Sequence, residues 1–370
     1  MYFAVLGKHP EISKAELELV QPQNISYPKK GIIIFDTEHP ELLQQLGGII
    51  KAGRVVKEKE LPTLLADTKI IGIQSETNGK HLKRTAGIRR YKLVDLFHTD
   101  REIKTKGKEI INLENGLYGI VEHYQNIELY EAIDFDKPGR SMQMGMMPAK
   151  LTHIMLNIGL HSLKSIKSKV HKAGLSTFDF GLSTVIYDPF VGSGTTGFLA
   201  NHLGYEFIGS DIKTTYAEQN AKRRMTTKFA TTNKELSIFT HDIKKKLEKS
   251  SLFMERGGTG TVGDFKKETK MNVLIITEGW LGPIVTKSTS DQDIQKFQER
   301  VADLYKNLLD RIKDLGATAV FTIPRYIGHD NGIQKILEKY ATDIGLHTKE
   351  IPELYSREGQ QIARKILIIT

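Results

Sequence analysis

Two acids enclose a run of small residues in the middle of the chain: Asp188 opens and Asp211 closes DPFVGSGTTGFLANHLGYEFIGSD, with glycines at 192, 194 and 197 between them. Glycines let a backbone approach a ligand closely. A helix beginning after Gly194 would present unpaired amides, and an acid some way beyond a glycine turn stands where a ribose diol is held. Found together, these features point to a nucleotide-type ligand rather than an ordinary turn. A dinucleotide fold wants GxGxxG directly after its strand, whereas here Asp-Pro-Phe comes first and only GxG follows; a P-loop wants a lysine to reach phosphates, and 192–197 has none. S-adenosylmethionine fits better. Its amino-acid moiety would lie against Phe190, Gly192, Ser193, Gly194 and Thr195, its ribose would face Asp211 with Ile212 beside it, and its adenine amine would reach Asp242.

These residues meet only if strands deliver them to one place. Strands fit 184–187, 207–210, 236–240, 273–277, 318–323 and 365–369, and helices fit 195–203, 214–225, 291–315 and 332–343. The clearest helix spaces Ile294, Phe297, Val301, Leu304, Leu308, Ile312 and Leu315 by three or four. Such alternation predicts an α/β domain with a mostly parallel sheet, covered on both faces, that binds ligands at the carboxyl ends of its strands. Asp188 then ends the first strand, Asp211 the second, His241 and Asp242 the third, and Glu278, Gly279 and Trp280 the fourth. Arg325 and Tyr326 border the same crevice. A helix opening at Pro148 places Leu151, Ile154, Met155, Ile158 and Leu160 on one face. Met144, Met146 and Met147 just before it are read as gap-fillers, and the Gly-rich stretch 255–265 as a mobile lid or an insertion.

Upstream, strands fit 2–6, 31–35, 54–60 and 70–74, with helices at 40–46 and through Val20, the latter opened by a capping box of Ser13 and Glu16. Segments 117–124 and 127–135 read as paired strands of a small α+β module. Lys80, Lys83, Arg84, Arg89, Arg90 and Lys92 interleave with Tyr91 in a stretch able to track phosphates. DKPGRSMQMG reads as a linker, giving domains at 1–140 and 141–370. The chain has 370 residues, enough for two or three domains, and 53 Lys and Arg against 44 Asp and Glu, a net +9 that favours a polyanionic partner. With no cysteine, disulfides, thiolate zinc sites and a Cys nucleophile are excluded, and no metal is called for. No long apolar run and no leader-like start lead us to expect a cytoplasmic protein without a membrane partner, monomeric in its simplest form.

DPFVGSGTT resembles the first motif of the amino-methyltransferases, which methylate exocyclic amines of nucleic-acid bases. FAVLGKHPEISKAELEL near the start and MMPAKLTHIMLNIGL before the glycine turn are similar to the THUMP-associated tRNA guanosine methyltransferases. The likeness covers most of the chain, closest over 148–283 and thinnest between 60 and 140. It implies a Rossmann-like class I methyltransferase domain with a seven-stranded, mostly parallel sheet, preceded by a smaller ferredoxin-like and THUMP-like region that grips tRNA. The hairpin-like end at 348–350 and 363–369 would supply the seventh, antiparallel strand. The implied reaction is S-adenosylmethionine-dependent methylation of a guanosine exocyclic amine in tRNA.

The same resemblance makes TEGWLGP the catalytic motif. The family expects Asp or Asn followed by Pro-Pro-aromatic, and this chain departs from it with Glu278, Gly279 and Trp280. A conjugated amine is weakly nucleophilic and needs acceptors for the positive charge it develops. The Glu278 carboxylate and Gly279 carbonyl are candidates, and Trp280 can stack on an extruded base. DNA amino-methyltransferases that share the glycine motif usually carry their catalytic motif upstream, where this chain has none. A DNA or ribosomal RNA amino-methyltransferase is the alternative on the same fold; a decayed RNA-binding protein that retains the cofactor is the alternative of another class.

Overall fold

The computed structural model describes residues 1–135, 147–172, 184–222, 236–254, 271–286, 288–330 and 332–370. The chain divides into two units, Met1–Asn126 and Ile127–Thr370. The division falls ahead of the linker read at 137–145; that linker, Met144, Met146 and the 255–265 stretch lie outside the described residues.

The first unit is an α+β module on one sheet. Its strands are β1 (Tyr2–Leu6), β2 (Gln23–Lys29), β3 (Ile32–Asp36), β4 (Ile49–Lys57), β5 (Ile71–Ile73), β6 (Tyr91–Leu93), β7 (Lys108–Glu114) and β8 (Leu117–Tyr124). They lie in the order β2-β3-β1-β4-β8-β7-β5-β6, antiparallel except where β5 runs parallel to β6 and β7. Helices α1 (Pro10–Leu17), α2 (Leu61–Leu65), α3 (Glu76–Thr85) and α4 (Arg101–Lys106) complete it.

The capping box is a misreading. Pro10 starts α1 one turn earlier, with His9 at the N-cap, so Ser13 and Glu16 fall inside the helix. Both turn inward instead. The buried Glu16 carboxylate accepts from the amides of Gly47 and Gly48, each at 2.6 Å, and the Ser13 hydroxyl reaches the Gly48 carbonyl at 3.0 Å. The helix thereby fixes the turn that leads into β4.

The second unit begins with α5 (Ile127–Phe135), a helix where a strand was expected. Its buried residues are Leu129, Tyr130, Ala132 and Ile133, spaced as one helical face, and they pack on Ala149 and Leu199. α6 (Ala149–Lys172) follows, then β9 (Thr184–Asp188), α7 (Thr195–His202), β10 (Glu206–Asp211), α8 (Thr215–Lys222), β11 (Ser237–Thr240), α9 (Lys249–Met254), β12 (Asn272–Glu278), α10 (Asp291–Leu315), β13 (Thr318–Tyr326), α11 (Gly332–Asp343), β14 (Thr348–Tyr355) and β15 (Ile362–Ile369). α6 is buried all round from Leu151 to Gly159, not on a single face, because it runs between the sheet and the pair α5 and α7. Gly159 permits the approach: a Cβ there would stand 2.7 Å from a Leu274 methyl. Within this layer His153 accepts from or donates to the Tyr130 hydroxyl at 2.8 Å, and burial pushes its imidazole down to about 4, so it is neutral near pH 7.

The strand order is β11-β10-β9-β12-β13-β15-β14. The first five run parallel, and β15 is antiparallel to both neighbours. In the unit's own numbering this is 3-2-1-4-5-7-6, the Rossmann-like sheet of class I methyltransferases, with the expected antiparallel seventh strand. Central strands β9 and β12 are buried along most of their length, with apolar runs Val185–Tyr187 and Val273–Ile276, because helices cover both faces. α10 spans the residues its periodicity marks, capped by Ser290, whose hydroxyl accepts from the Asp293 amide at 3.2 Å, and closed by Gly316 at φ +56°.

The Glu16 contacts predict that Glu16→Ala, which strands two buried amide donors, lowers the unfolding free energy by roughly 2–4 kcal/mol in a urea titration.

Candidate active site

The parallel strands β9 to β13 bring their carboxyl ends to one edge of the sheet, and β9 lies between β10 and β12. The loops after these three strands are therefore neighbours. Asp188 anchors the first of them from beneath. It is 3% exposed. One carboxylate oxygen accepts from the Phe190 amide at 3.0 Å and the Thr277 hydroxyl at 2.5 Å, the other from the Thr196 hydroxyl at 2.6 Å. Burial pushes its carboxyl up to about 6, against the pull of the three hydrogen bonds. Thr196 and Thr277 were missed in the sequence, where a threonine beside a strand or helix end carries no distinctive signal.

Above Asp188 the turn folds on itself. The Gly194 amide donates to the Val191 carbonyl at 2.7 Å, the Val191 amide to Ser210 at 3.0 Å, and the buried Asn220 side chain to the Ser193 carbonyl at 2.9 Å. Gly192 at φ +50° and Gly194 at φ +87° adopt the left-handed region that a side chain would strain. At Gly192 an added Cβ would meet only the Phe190 carbonyl oxygen, 3.7 Å away, so the backbone on that side is open to a ligand. Thr195 opens α7. Asp211 closes the turn by accepting from the Gly192 amide at 3.1 Å and the Lys213 amide at 3.3 Å, and burial raises its carboxyl above the ordinary range. Beside it Ile212 is 71% exposed, a large apolar side chain left on the rim. Asp242 follows β11, its carboxylate held by the Lys244 amide at 3.0 Å, and the His241 amide joins that loop to the Asp211 carbonyl at 2.9 Å. The predicted cofactor residues thus come together on β9, β10 and β11, with Asp188 facing inward and the others around the turn.

After β12 the picture departs from the sequence reading. Glu278 does not project as a free acceptor. Its side chain is 5% exposed and is engaged by the guanidinium of Arg364, itself 10% exposed, whose Nε donates to Oε1 and whose Nη2 donates to Oε2 at 3.2 Å. The Thr322 hydroxyl adds a contact to Oε1 at 3.3 Å. Arg364 lies on β15, far along the chain, and nothing local to TEGWLGP announces it. Beyond Glu278, the Gly279 carbonyl accepts no hydrogen bond among the described residues. Trp280 is 40% exposed, with the Arg300 guanidinium 5.3 Å from the ring centre on one face. The Tyr326 hydroxyl donates to the Leu281 carbonyl at 3.0 Å, tying the end of the loop to β13.

The basic residues of the first unit are dispersed over three features. Lys80, Lys83 and Arg84 lie on α3, Arg89 and Arg90 in the turn that follows, and Lys92 in β6. Lys80 pairs with Glu76 at 2.7 Å, and Lys92 with Asp100 at 2.9 Å and Glu102 at 3.2 Å, while Lys83, Arg84, Arg89 and Arg90 are exposed. A cleft of about 320 Å³ in the same unit is lined by Gln44, Lys104, Lys108, His123 and Tyr124 among others.

Two measurements test this site. Glu278→Ala leaves Arg364 buried without its partner and should lower the unfolding free energy by about 3–5 kcal/mol, with part regained when Arg364 is also replaced by Leu. Asp188 holds its proton more tightly folded than unfolded, since about 6 exceeds the ordinary 3.8, so its contribution to stability is lost as pH rises through that interval. Asp188→Asn removes the titration. Relative to the parent, the variant should gain about 2 kcal/mol between pH 4 and pH 7 in chemical denaturation.

Residues 147–222 match the family model described as DNA methylase, N6_N4_Mtase. Over 101 residues the chain is 32% identical to the type II methyltransferase M2.DpnII of Streptococcus pneumoniae and likewise to M2.LlaDCHI of Lactococcus lactis subsp. cremoris, covering 27% of this chain. The matched part is 36% of the length of each relative. Among solved structures it is similar to the N-terminal domain of human METTL16 in complex with SAH, at 12% identity over 69% of this chain and 86% of that one, with a TM-score of 0.36. It is also similar to the magnesium protoporphyrin IX methyltransferase of Synechocystis PCC 6803 with bound SAM, at 16% identity over 65% and 93%, with a TM-score of 0.31. Residues 147–222, within the second unit, are therefore similar to amino-methyltransferases, and they lie in a Rossmann-like sheet.

Proposed function

We propose that this protein transfers a methyl group from S-adenosylmethionine to the exocyclic amine of a guanosine in tRNA. The observation that carries the reading is the adjacency of two loops on paired strands: the glycine turn after β9 and the Gly279-Trp280 segment after β12. The donor set fits the cofactor. Gly192 presents open backbone, Asp211 keeps lone pairs for a ribose diol, Ile212 offers an apolar rim for a purine face, and Asp242, one oxygen of which is engaged among the described residues, has the other for an exocyclic amine. When bound, S-adenosylmethionine supplies an electrophilic methyl on a sulfonium.

The chain's own residues account for the rest. Asp188 holds the turn in shape from below through Thr196 and Thr277. Trp280 offers one face for stacking a base removed from its helix, the other being covered by Arg300. The Gly279 carbonyl is the acceptor for an amine hydrogen whose nitrogen gains positive charge as it attacks. Glu278 has a lesser electrostatic part than a free carboxylate would, because Arg364 offsets its charge; it orients the start of the loop. The nitrogen sheds its proton after attack, so no strong base is needed beforehand. In the first unit, the exposed Lys83, Arg84, Arg89 and Arg90 support a polyanionic partner, and the resemblance of the first twenty residues favours tRNA. Residues 1–140 would hold it and 141–370 would perform the transfer.

The match to the DNA methylase model favours a second reading, duplex DNA as the polymer, on the same chemistry. Incubation with labelled cofactor and unmodified tRNA, ribosomal RNA or duplex DNA in competition, followed by mass spectrometry of the nucleosides, separates them. A methylated guanosine from tRNA is the expected product. Label in DNA adenine or cytosine alone would establish the second reading, and cofactor binding without transfer to any polymer would refute both.

A further inference from the structure

Gly279 stands where the amino-methyltransferase pattern has a proline, and the space its missing side chain leaves is filled. A Cβ on Gly279 would lie 2.9 Å from both Cζ and the hydroxyl oxygen of Tyr305 and 3.3 Å from Cε2 of Phe190. By contrast, Gly316 and Gly345 have nothing within 4 Å of such an atom. Tyr305 comes from α10 and is wholly buried. Its ring packs on those of Phe190 and Phe321, with centres 6.5 Å and 5.7 Å away. Its hydroxyl donates to the Thr322 carbonyl on β13 at 2.8 Å and faces the Gly279 backbone. Burial carries this phenol well above its ordinary range, so the donor is kept. A proline at 279 would remove the amide hydrogen and drive its ring into Tyr305.

We propose that Tyr305 is the positioning residue of the methyl-transfer loop: its ring takes the volume of the absent side chain at 279, and its hydroxyl, anchored on Thr322, holds that ring against the Gly279 backbone immediately ahead of the Gly279 carbonyl and Trp280. The glycine is then one half of a matched pair with Tyr305, and its departure from the family pattern is compensated rather than a sign of decay. The catalytic consequence rests on the amine-methylation reading above; the packing does not.

Tyr305→Phe keeps the ring and removes the hydroxyl with its bond to Thr322. It should lower kcat at least about tenfold with KM for the nucleic acid within about twofold, the split expected of a misplaced acceptor. The chain contains one tryptophan, Trp280, whose emission reports the loop without any substrate and should shift in the same variant. Gly279→Ala should lower Tm, and by less in a Tyr305→Leu background than in the parent, since the shorter side chain frees the space. Parental kcat and emission for Tyr305→Phe, or equal losses of Tm from Gly279→Ala in the two backgrounds, would overturn the proposal. Should the parent transfer methyl to no nucleic acid, the amine-methylation reading falls, while the emission and Tm comparisons still decide the packing.

Discussion

The buried carboxylate of Asp188 is the constraint on which the second unit's functional edge depends. The turn just after β9, the first turn of α7 and, 89 residues along the chain, the end of β12 each send it one donor. Removing a carboxylate from water is costly, and burial raises its pKa despite the three hydrogen bonds that favour the charged form. What results is geometric. With Thr196 and Thr277 bound to one group, the glycine turn cannot move independently of the loop after β12, and the two halves of a transfer site stay in register.

A second buried charge does different work. The pairing of Glu278 with Arg364 joins β12 to β15 across β13, so the residue expected to act on the substrate acts first on the sheet. A neutralised carboxylate stabilises an emerging cation less than a bare one. In the proposed reaction the burden would move to a main-chain carbonyl, whose direction is set by backbone conformation and by whatever packs around it. This is why side chains remote from the motif, Tyr305 beneath and Tyr326 at the far end, belong to its description.

Much of this architecture was legible in residue patterns. Alternating apolar strands and amphipathic helices marked the α/β unit, and α10 was bounded by its own periodicity. The glycine turn and its acids were visible because a ligand site needs particular residue types at close spacing. Failures came where the deciding contact was distant or the local pattern was shared by two structures. IELYEAIDF alternates enough to suggest a strand, yet its apolar residues form one helical face once α6 and α7 are present. Ser13 and Glu16 have capping-box spacing, but Pro10 had already begun the helix. Arg364 and Tyr305 left no mark near Glu278 and Gly279, since a partner supplied by tertiary packing is invisible to a window of sequence.

The place of β15 in the sheet has a consequence for how the protein is made. It inserts between β13 and β14, so the strand carrying Arg364 is the last of the seven to leave the ribosome, 86 residues after Glu278. At ordinary elongation rates that interval is roughly 4–17 s. During it Glu278 is a carboxylate without its counter-ion and β13 has an open edge. The Glu278–Arg364 pair is therefore made in a closing step of folding, after the glycine turn and the loop that faces it have been synthesised.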